Sequence, residues 1–203
     1  MLLDKPLKLC RGAGNGIDKA CLMTAANMLI GRGDAGDEAV CTCEVLRGFI
    51  LRTNDAMHWQ TRRRLYGPLP WSLVGTRTTD VKVHLRRAEI LALALRKMRT
   101  LAVNDLRDDV KLSPADNMKF GAFFYLSVAK RRAAEADADT LATCCFSANS
   151  AGYAAIAYGR LANHSTPIWE VCRDALVEAI AVGNKMPVEL QQTPEKLVAV
   201  LNG

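Results

Sequence analysis

The chain predicts an all-α protein: a compact helical bundle of about six or seven helices, with an N-terminal helical hairpin and antiparallel helices in the C-terminal half. Three observations carry this. Apolar residues recur at intervals of three and four over several long stretches. Helix-start signals, Ser113-Pro114-Ala115-Asp116, Thr166-Pro167 and Thr193-Pro194-Glu195, stand where such stretches begin. No segment alternates apolar and polar residues with a period of two, so a sheet has nothing to build on.

In order along the chain, residues 1–16 hold Pro6, Gly12, Gly14 and Gly16 without a helical period and read as an extended lead-in. From Ile17 a helix begins, apolar on most sides through Cys21, Leu22, Ala25, Met28, Leu29 and Ile30, and so central. Gly31 to Asp37 breaks it, and Asp37 caps a second helix from about Glu38 to Asp55, making the hairpin. A short helix follows over Trp59 to Tyr66, then the turn residues Gly67, Pro68 and Pro70. Thr79 or Asp80 opens a long helix to about Asn104. Its core stripe is Leu85, Ala88, Leu91, Ala92, Leu95, Met98 and Ala102.

The polar stretch 105–111 divides an N-terminal helical subdomain (17–105) from a C-terminal one (112–203), unless the two form one continuous domain. The helix opened by Ser113 carries Met118, Phe120, Phe123, Phe124, Leu126 and Val128 as its inward residues and ends at Lys130-Arg131-Arg132, where cations suit the helix dipole. A fifth long helix starts near Asp139 or Thr140. Its small residues Ala148, Gly152, Ala155, Gly159 and Ala162 form a flat stripe for a neighbour, either within the chain or on a second copy. The sixth runs from Thr166 with Ile168, Cys172, Ala175, Leu176, Ala179 and Ile180 inside, and a last short helix starts at Thr193 and ends at Asn202.

Composition narrows the class. Half of the 203 residues are apolar and 24% charged, as in a globular protein. The longest aliphatic run, Ile90 to Leu95, is far short of the ~20 residues a membrane helix needs, so no membrane is expected. The start of the chain has no secretion signal, and the seven cysteines, an odd number sitting mostly in apolar helical patterns, read as reduced. Both point to the cytoplasm, or to a host's cytoplasm for a viral gene.

Charge is the functional clue. Between Arg47 and Arg99 stand twelve Lys or Arg against Asp55, Asp80 and Glu89, a net of +9 in a chain whose total is +6. That predicts a basic face formed by Arg62, Arg63, Arg64, Lys82, Arg86, Arg96, Lys97 and Arg99 and an acidic or anionic partner. Trp59, Tyr66 and Trp71 stand near the arginine run as candidate stacking residues, the combination a nucleic acid would use.

Other chemistry finds less. Cys41-Thr42-Cys43 lacks a second ligand pair, and adjacent Cys144 and Cys145 point in different directions on a helix, so no metal is expected. His58, His84 and His164 each have an ordinary structural explanation, although one of them with Ser165 or Cys172 would serve a hydrolase. Gly12, Gly14 and Gly16 precede a helix without the strand and Gly-Lys-Ser/Thr ending of a phosphate loop, so no cofactor is expected.

The block Cys21-Leu22-Met23, Cys41-Thr42-Cys43-Glu44-Val45-Leu46, Leu51-Arg52-Thr53-Asn54-Asp55, Arg63-Arg64-Leu65, Pro68-Leu69-Pro70 and Leu73-Val74-Gly75-Thr76 resembles a group of uncharacterised proteins from actinobacteria and their phages. Similar proteins have alanine-rich C-terminal helices, as Ser150 to Gly183 does. The chain departs from them at Glu44, where proline is commoner, and in the basic residues after Arg77. The resemblance implies an all-helical fold and a phage or prophage origin, attaches no function, and marks Asn54, Asp55, Gly75 and Thr76. Those residues suit local capping and turn roles. The alternative is a polar pocket at the hairpin's open end, lined by Asn54, Asp55, Thr76 and one of the arginines.

The functional expectation is a non-enzymatic protein that binds a macromolecule through its cationic half. A protein partner comes first, as for a phage-encoded modulator or inhibitor of a host protein. Nucleic acid on the same face is the alternative, and a small hydrolase or ligand-binding protein with a pocket near Asn54 and Thr76 the second alternative. A homo-oligomer stays open.

Overall fold

The computed structural model describes residues 8–12, 19–30, 41–105, 113–162 and 166–184. Among them are eight helices and one two-stranded ladder: β1 (Lys8–Leu9), β2 (Lys19–Ala20), α1 (Leu22–Leu29), α2 (Glu44–Ala56), α3 (Trp59–Tyr66), α4 (Pro70–Leu73), α5 (Val81–Asp105), α6 (Ser113–Ala134), α7 (Thr140–Leu161) and α8 (Thr166–Ala181). The all-α expectation holds. Three expected features, the Gly31 to Asp37 break with its Asp37 cap, the 105–111 divide beyond Asp105, and the helix from Thr193, lie outside the described residues.

The first two helices start later than their apolar periods suggest. β1 and β2 pair in parallel, Lys8 with Lys19 and Leu9 with Ala20, and α1 starts after β2, at Leu22. Cys21 then caps α1, its sulfur accepting from the Thr24 amide at 3.3 Å. Residues Leu22 to Asn27 are all buried, as the all-round apolar pattern requires. At α2 the residues from Cys41 to Cys43 are held in a turn by the 73–77 segment. The Cys43 amide donates to Thr76 Oγ1 at 3.1 Å, and the Arg77 amide to the Cys41 carbonyl at 3.0 Å. Helix therefore begins at Glu44.

α7 is the central rod, packed on α2, α5 and α6, and its small-residue stripe is what lets them approach. A Cβ added at Gly152 would fall 2.9 Å from Arg52 Cβ on α2, and one at Gly159 would fall 2.7 Å from Trp169 Cζ2 on α8. The stripe is thus filled by this chain's own helices. One continuous core takes in Leu46 and Leu91 from the first half and Leu126 and Leu176 from the second. The residues expected on the inner face of α8 are all buried, as are Ala88, Leu91, Ala92, Leu95, Met98 and Ala102 of α5.

α6 departs from expectation. Its buried residues are Ala115, Ala122, Leu126 and Ala129, while Met118, Phe120 and Phe124, expected inside, are exposed. The cause is the closeness of α6 and α7. Ser147 of α7 donates to the Ala122 carbonyl of α6 at 2.8 Å, a side chain reaching the backbone of the next helix. Three alanines and a single leucine line the inner face between rods that close, and the rings turn outward.

Arg87 of α5, hidden in a basic run, is wholly buried. It donates from Nε to the Ala179 carbonyl at 3.1 Å, from Nη2 to the Val182 carbonyl at 2.7 Å, and from Nη1 to the Thr76 carbonyl. It so binds the C-terminal end of α8, where a helix leaves carbonyls unpaired and its dipole is negative, to the turn before α5.

Candidate functional site

Not every cation of the basic run reaches the surface. Arg62 is buried and donates to three backbone carbonyls, Asn54 at 2.7 Å, Met57 at 2.7 Å and Leu9 at 3.4 Å. It is a structural hub, withdrawn from any partner, and this corrects its place in the expected face. Arg63 is half-buried. Arg64 reaches Glu170 of α8 at 3.1 Å. On α5, Arg86 bonds Glu89, which also takes Lys130 of α6, and Arg99 bonds Asp116 of α6. Arg96 lies over the Phe123 ring at 5.5 Å, and Lys97 shares a shallow groove with Asp174 and Glu178 of α8. Lys82 is exposed near the start of α5. Apart from Glu89 of α5 itself, the acids near these cations, Asp116, Glu170, Asp174 and Glu178, come from α6 and α8, more than ten residues away in sequence, so the local charge count leaves them out.

The stacking set is likewise divided. Trp59 is 56% exposed and rests near His58, but Tyr66 is buried with its hydroxyl 2.7 Å from Thr53 Oγ1, and Trp71 is half-buried. Tyr66 is therefore a core residue and no platform for a base.

The polar pocket expected around Asn54, Asp55 and Thr76 is not assembled. Thr76 sits at the N-terminal end of α2, bonded to Cys43, whereas Asn54 and Asp55 lie at its C-terminal end. A 13-residue helix puts those ends roughly 18 Å apart. Asn54 and Asp55 instead fasten the N-terminal segment. Asn54 Nδ2 donates to the Cys10 carbonyl at 3.0 Å, and Asp55 Oδ1 accepts from the Gly12 amide at 3.0 Å. Thr76 donates to the Leu73 carbonyl and closes the turn in which Gly75 takes a φ of 78°. The turn role expected of Gly75 and Thr76 is the one they play, whereas Asn54 and Asp55, expected to cap the next turn, bond a segment more than forty residues earlier.

What the outward turn of α6 creates is a continuous aromatic surface. Phe120 and Phe124 stack at 6.3 Å, Phe124 meets Tyr125 edge-on at 5.5 Å, and Tyr125 meets Phe146 of α7 at 5.5 Å. Phe120 is 70% exposed, Phe146 55% and Phe124 51%. Beside this ridge Met118, Gly121, Ser150 and Tyr153 line an open groove of about 530 Å³. Arg52 of α2 covers the Tyr153 ring at 4.6 Å. Single exposed apolar residues are ordinary, but rings in mutual contact across two helices form a larger apolar patch than scattered residues make. The apolar residues of α6 run nearly all round the helix, so its sequence carries no signal for which of them face out.

Cations border this surface, together with Glu44 of α2, which is near enough to Cys145 to add to burial in pushing its thiol up, and the exposed Glu135 just past α6. α7 contains no Asp or Glu and has Arg160 exposed near its end, and on α6 Arg131 stands seven residues after Phe124, on the same side of the helix. The one acid of α6, Asp116, is engaged: it takes Tyr158 Oη at 2.6 Å, Arg99 Nε at 3.0 Å and Lys119 Nζ at 3.1 Å. Burial pushes its carboxyl up, but those three donors outweigh burial and hold it below the usual carboxylate range. Among the described residues no three His, Cys, Asp or Glu are gathered as a metal site, and no helix is long and apolar enough to cross a membrane. All the described cysteines are free thiols. No family model, curated protein or solved structure matches the chain.

Proposed function

We propose that this chain acts by binding another protein, and that the docking face is the aromatic surface of α6 and α7 with the cations at its rim. The observation that carries this is the unbroken contact chain Phe120, Phe124, Tyr125 and Phe146, held in water on an otherwise well-packed bundle. Covering a Phe in an interface contributes roughly 1.5–3 kcal/mol, so two or three such rings are enough to anchor a partner.

Charge selects the kind of partner. The rim offers Arg52, Arg131 and Arg160, so the complementary surface is an apolar segment flanked by Asp or Glu. The partner class is the acidic protein that the charge of the sequence suggests, met at a different place. A modulator of a host protein, working in the cytoplasm, suits a chain of this kind.

The test is selection of random peptides displayed on phage against the wild-type protein, with counter-selection on the folded F120S/F124S double variant. Enriched peptides should pair aromatic or aliphatic residues with flanking Asp and Glu and should lose binding to the variant. Sedimentation velocity and mobility shifts on DNA and RNA accompany it. Peptides that bind the variant equally well, a dimer that the substitutions dissociate, or a nucleic-acid shift that they abolish would each replace this reading.

A further inference from the structure

Beside the α6–α7 turn, a second feature stands apart from binding. Cys43, at the start of α2, and His84, on α5, are 41 residues apart in sequence and meet with Sγ 3.4 Å from Nδ1. The other ring nitrogen, Nε2, lies 3.0 Å from the Thr78 carbonyl. A carbonyl only accepts, so Nε2 carries the hydrogen and Nδ1 presents its lone pair to the thiol. The imidazole is thereby locked as a base aimed at one sulfur. Cys43 also stands where the first amides of α2 have no partner within the helix, and that end of a helix favours an anion. Both residues line a cavity of about 510 Å³ with Thr78, Val81, Asp137 and Leu141 among its walls.

The neighbouring cysteines differ. Burial pushes the Cys144 thiol up to about 11 and the Cys145 thiol up to about 12, and raises Cys10 and Cys172 as well. Burial pushes Cys43 upward too, yet His84, the Leu46 amide and the Arg87 guanidinium outweigh it and hold that thiol below its ordinary value.

We propose that Cys43 and His84 form a nucleophilic thiol site for a small hydroperoxide. The sulfur borders the cavity but is almost covered, 1% exposed as a residue, so a reactant of two heavy atoms reaches it where a bulky ester or a protein thiol does not. His84 Nδ1 takes the thiol proton. The thiolate attacks the terminal OH oxygen of the peroxide, the O–O bond breaks, and the leaving hydroxide, or the alkoxide of an organic hydroperoxide, takes the proton back from His84 as water or as an alcohol. Sulfur is oxidised to the sulfenic acid and the peroxide is reduced, with atoms and electrons balanced.

The test is exposure of the full chain to one equivalent of hydrogen peroxide, quenching at intervals into denaturant with dimedone, and mapping of adducts by peptide mass spectrometry. Cys43 should carry the adduct first, ahead of the more exposed Cys10 and Cys41. H84Q, folded by circular dichroism, should slow its appearance about tenfold, because the local base is gone. Oxidation of Cys10 or Cys41 before Cys43 in the wild-type chain, which needs no variant to observe, would overturn the proposal. So would a folded H84Q that reacts at the wild-type rate.

Discussion

The indole of Trp169 on α8 occupies the space where Gly159 of α7 has no side chain: a Cβ there would stand 2.7 Å from Cζ2 and 3.0 Å from Cη2. Glycine to alanine inside a helix ordinarily stabilises by about 0.5–1 kcal/mol. Here the sign should reverse. Trp169 is fully buried and cannot retreat, so G159A should destabilise by about 1–3 kcal/mol. G48A, whose Cβ would meet Asn149 at 3.5 Å and the Cys145 carbonyl at 3.6 Å, both ordinary contacts, should stabilise within the usual range. Urea midpoints of the two variants check both signs.

Removing the Arg87 guanidinium should be far more damaging than removing any neighbouring arginine. R87M leaves three backbone carbonyls without their donor, and loss of a buried charged donor costs about 3 kcal/mol or more. R86M, whose partner Glu89 keeps Lys130, should change stability by about 0.5 kcal/mol or less. R87K should resemble R87M, since an ammonium cannot span the three acceptors. Equal denaturation midpoints for R86M and R87M would contradict this account of α8.

Acid should weaken the link between α5, α6 and α7. Asp116 is held below the ordinary carboxylate range, so as pH falls through that range the unfolded chain takes up the proton first. Stability from this group is full above about pH 4 and is lost as pH drops toward the lower folded value. Glu89, held down by its hydrogen bonds to Lys130 and Arg86 against burial, acts in the same direction. D116N should be less stable than wild type near neutrality, having lost the acceptor for Arg99 and Lys119. It should also lose less stability between about pH 5 and pH 3. Parallel slopes of unfolding free energy against pH for the two proteins would contradict this.

The aromatic ridge should be nearly silent in folding. F120S and F124S, at rings more than half exposed, should each change stability by about 0.5 kcal/mol or less, whereas L126A, on the buried face of the same helix, should cost about 2–4 kcal/mol. This contrast separates a surface kept for a partner from a misjudged core.

Much of the fold was legible. α3, α5, α7 and α8 start or end within two residues of their sequence signals, because caps, prolines and apolar periods are local properties. α6 shows where that stops. With Met118, Phe120, Phe123, Phe124, Tyr125 and Val128 on nearly every side, its sequence specifies a helix but no inner face. The choice was made by Ser147 and the alanines of α7. Arg62 and Arg87 were unreadable for a related reason: an arginine whose acceptors are carbonyls of distant turns looks, in sequence, like any solvated one. Cys43 and His84 are brought together by the crossing of α2 and α5, which no spacing rule encodes.

The most direct measurement of the central claim is photo-cross-linking inside the native host cell, from a benzoylphenylalanine placed at position 124 and, separately, at position 97 in the basic stretch of α5. Position 124 should yield an adduct with one protein, attached at an apolar segment bordered by Asp or Glu and lost in the F120S background, while position 97 yields none. Adducts from position 97 alone, or adducts from position 124 made only with nucleic acid or with another copy of the chain, would contradict it.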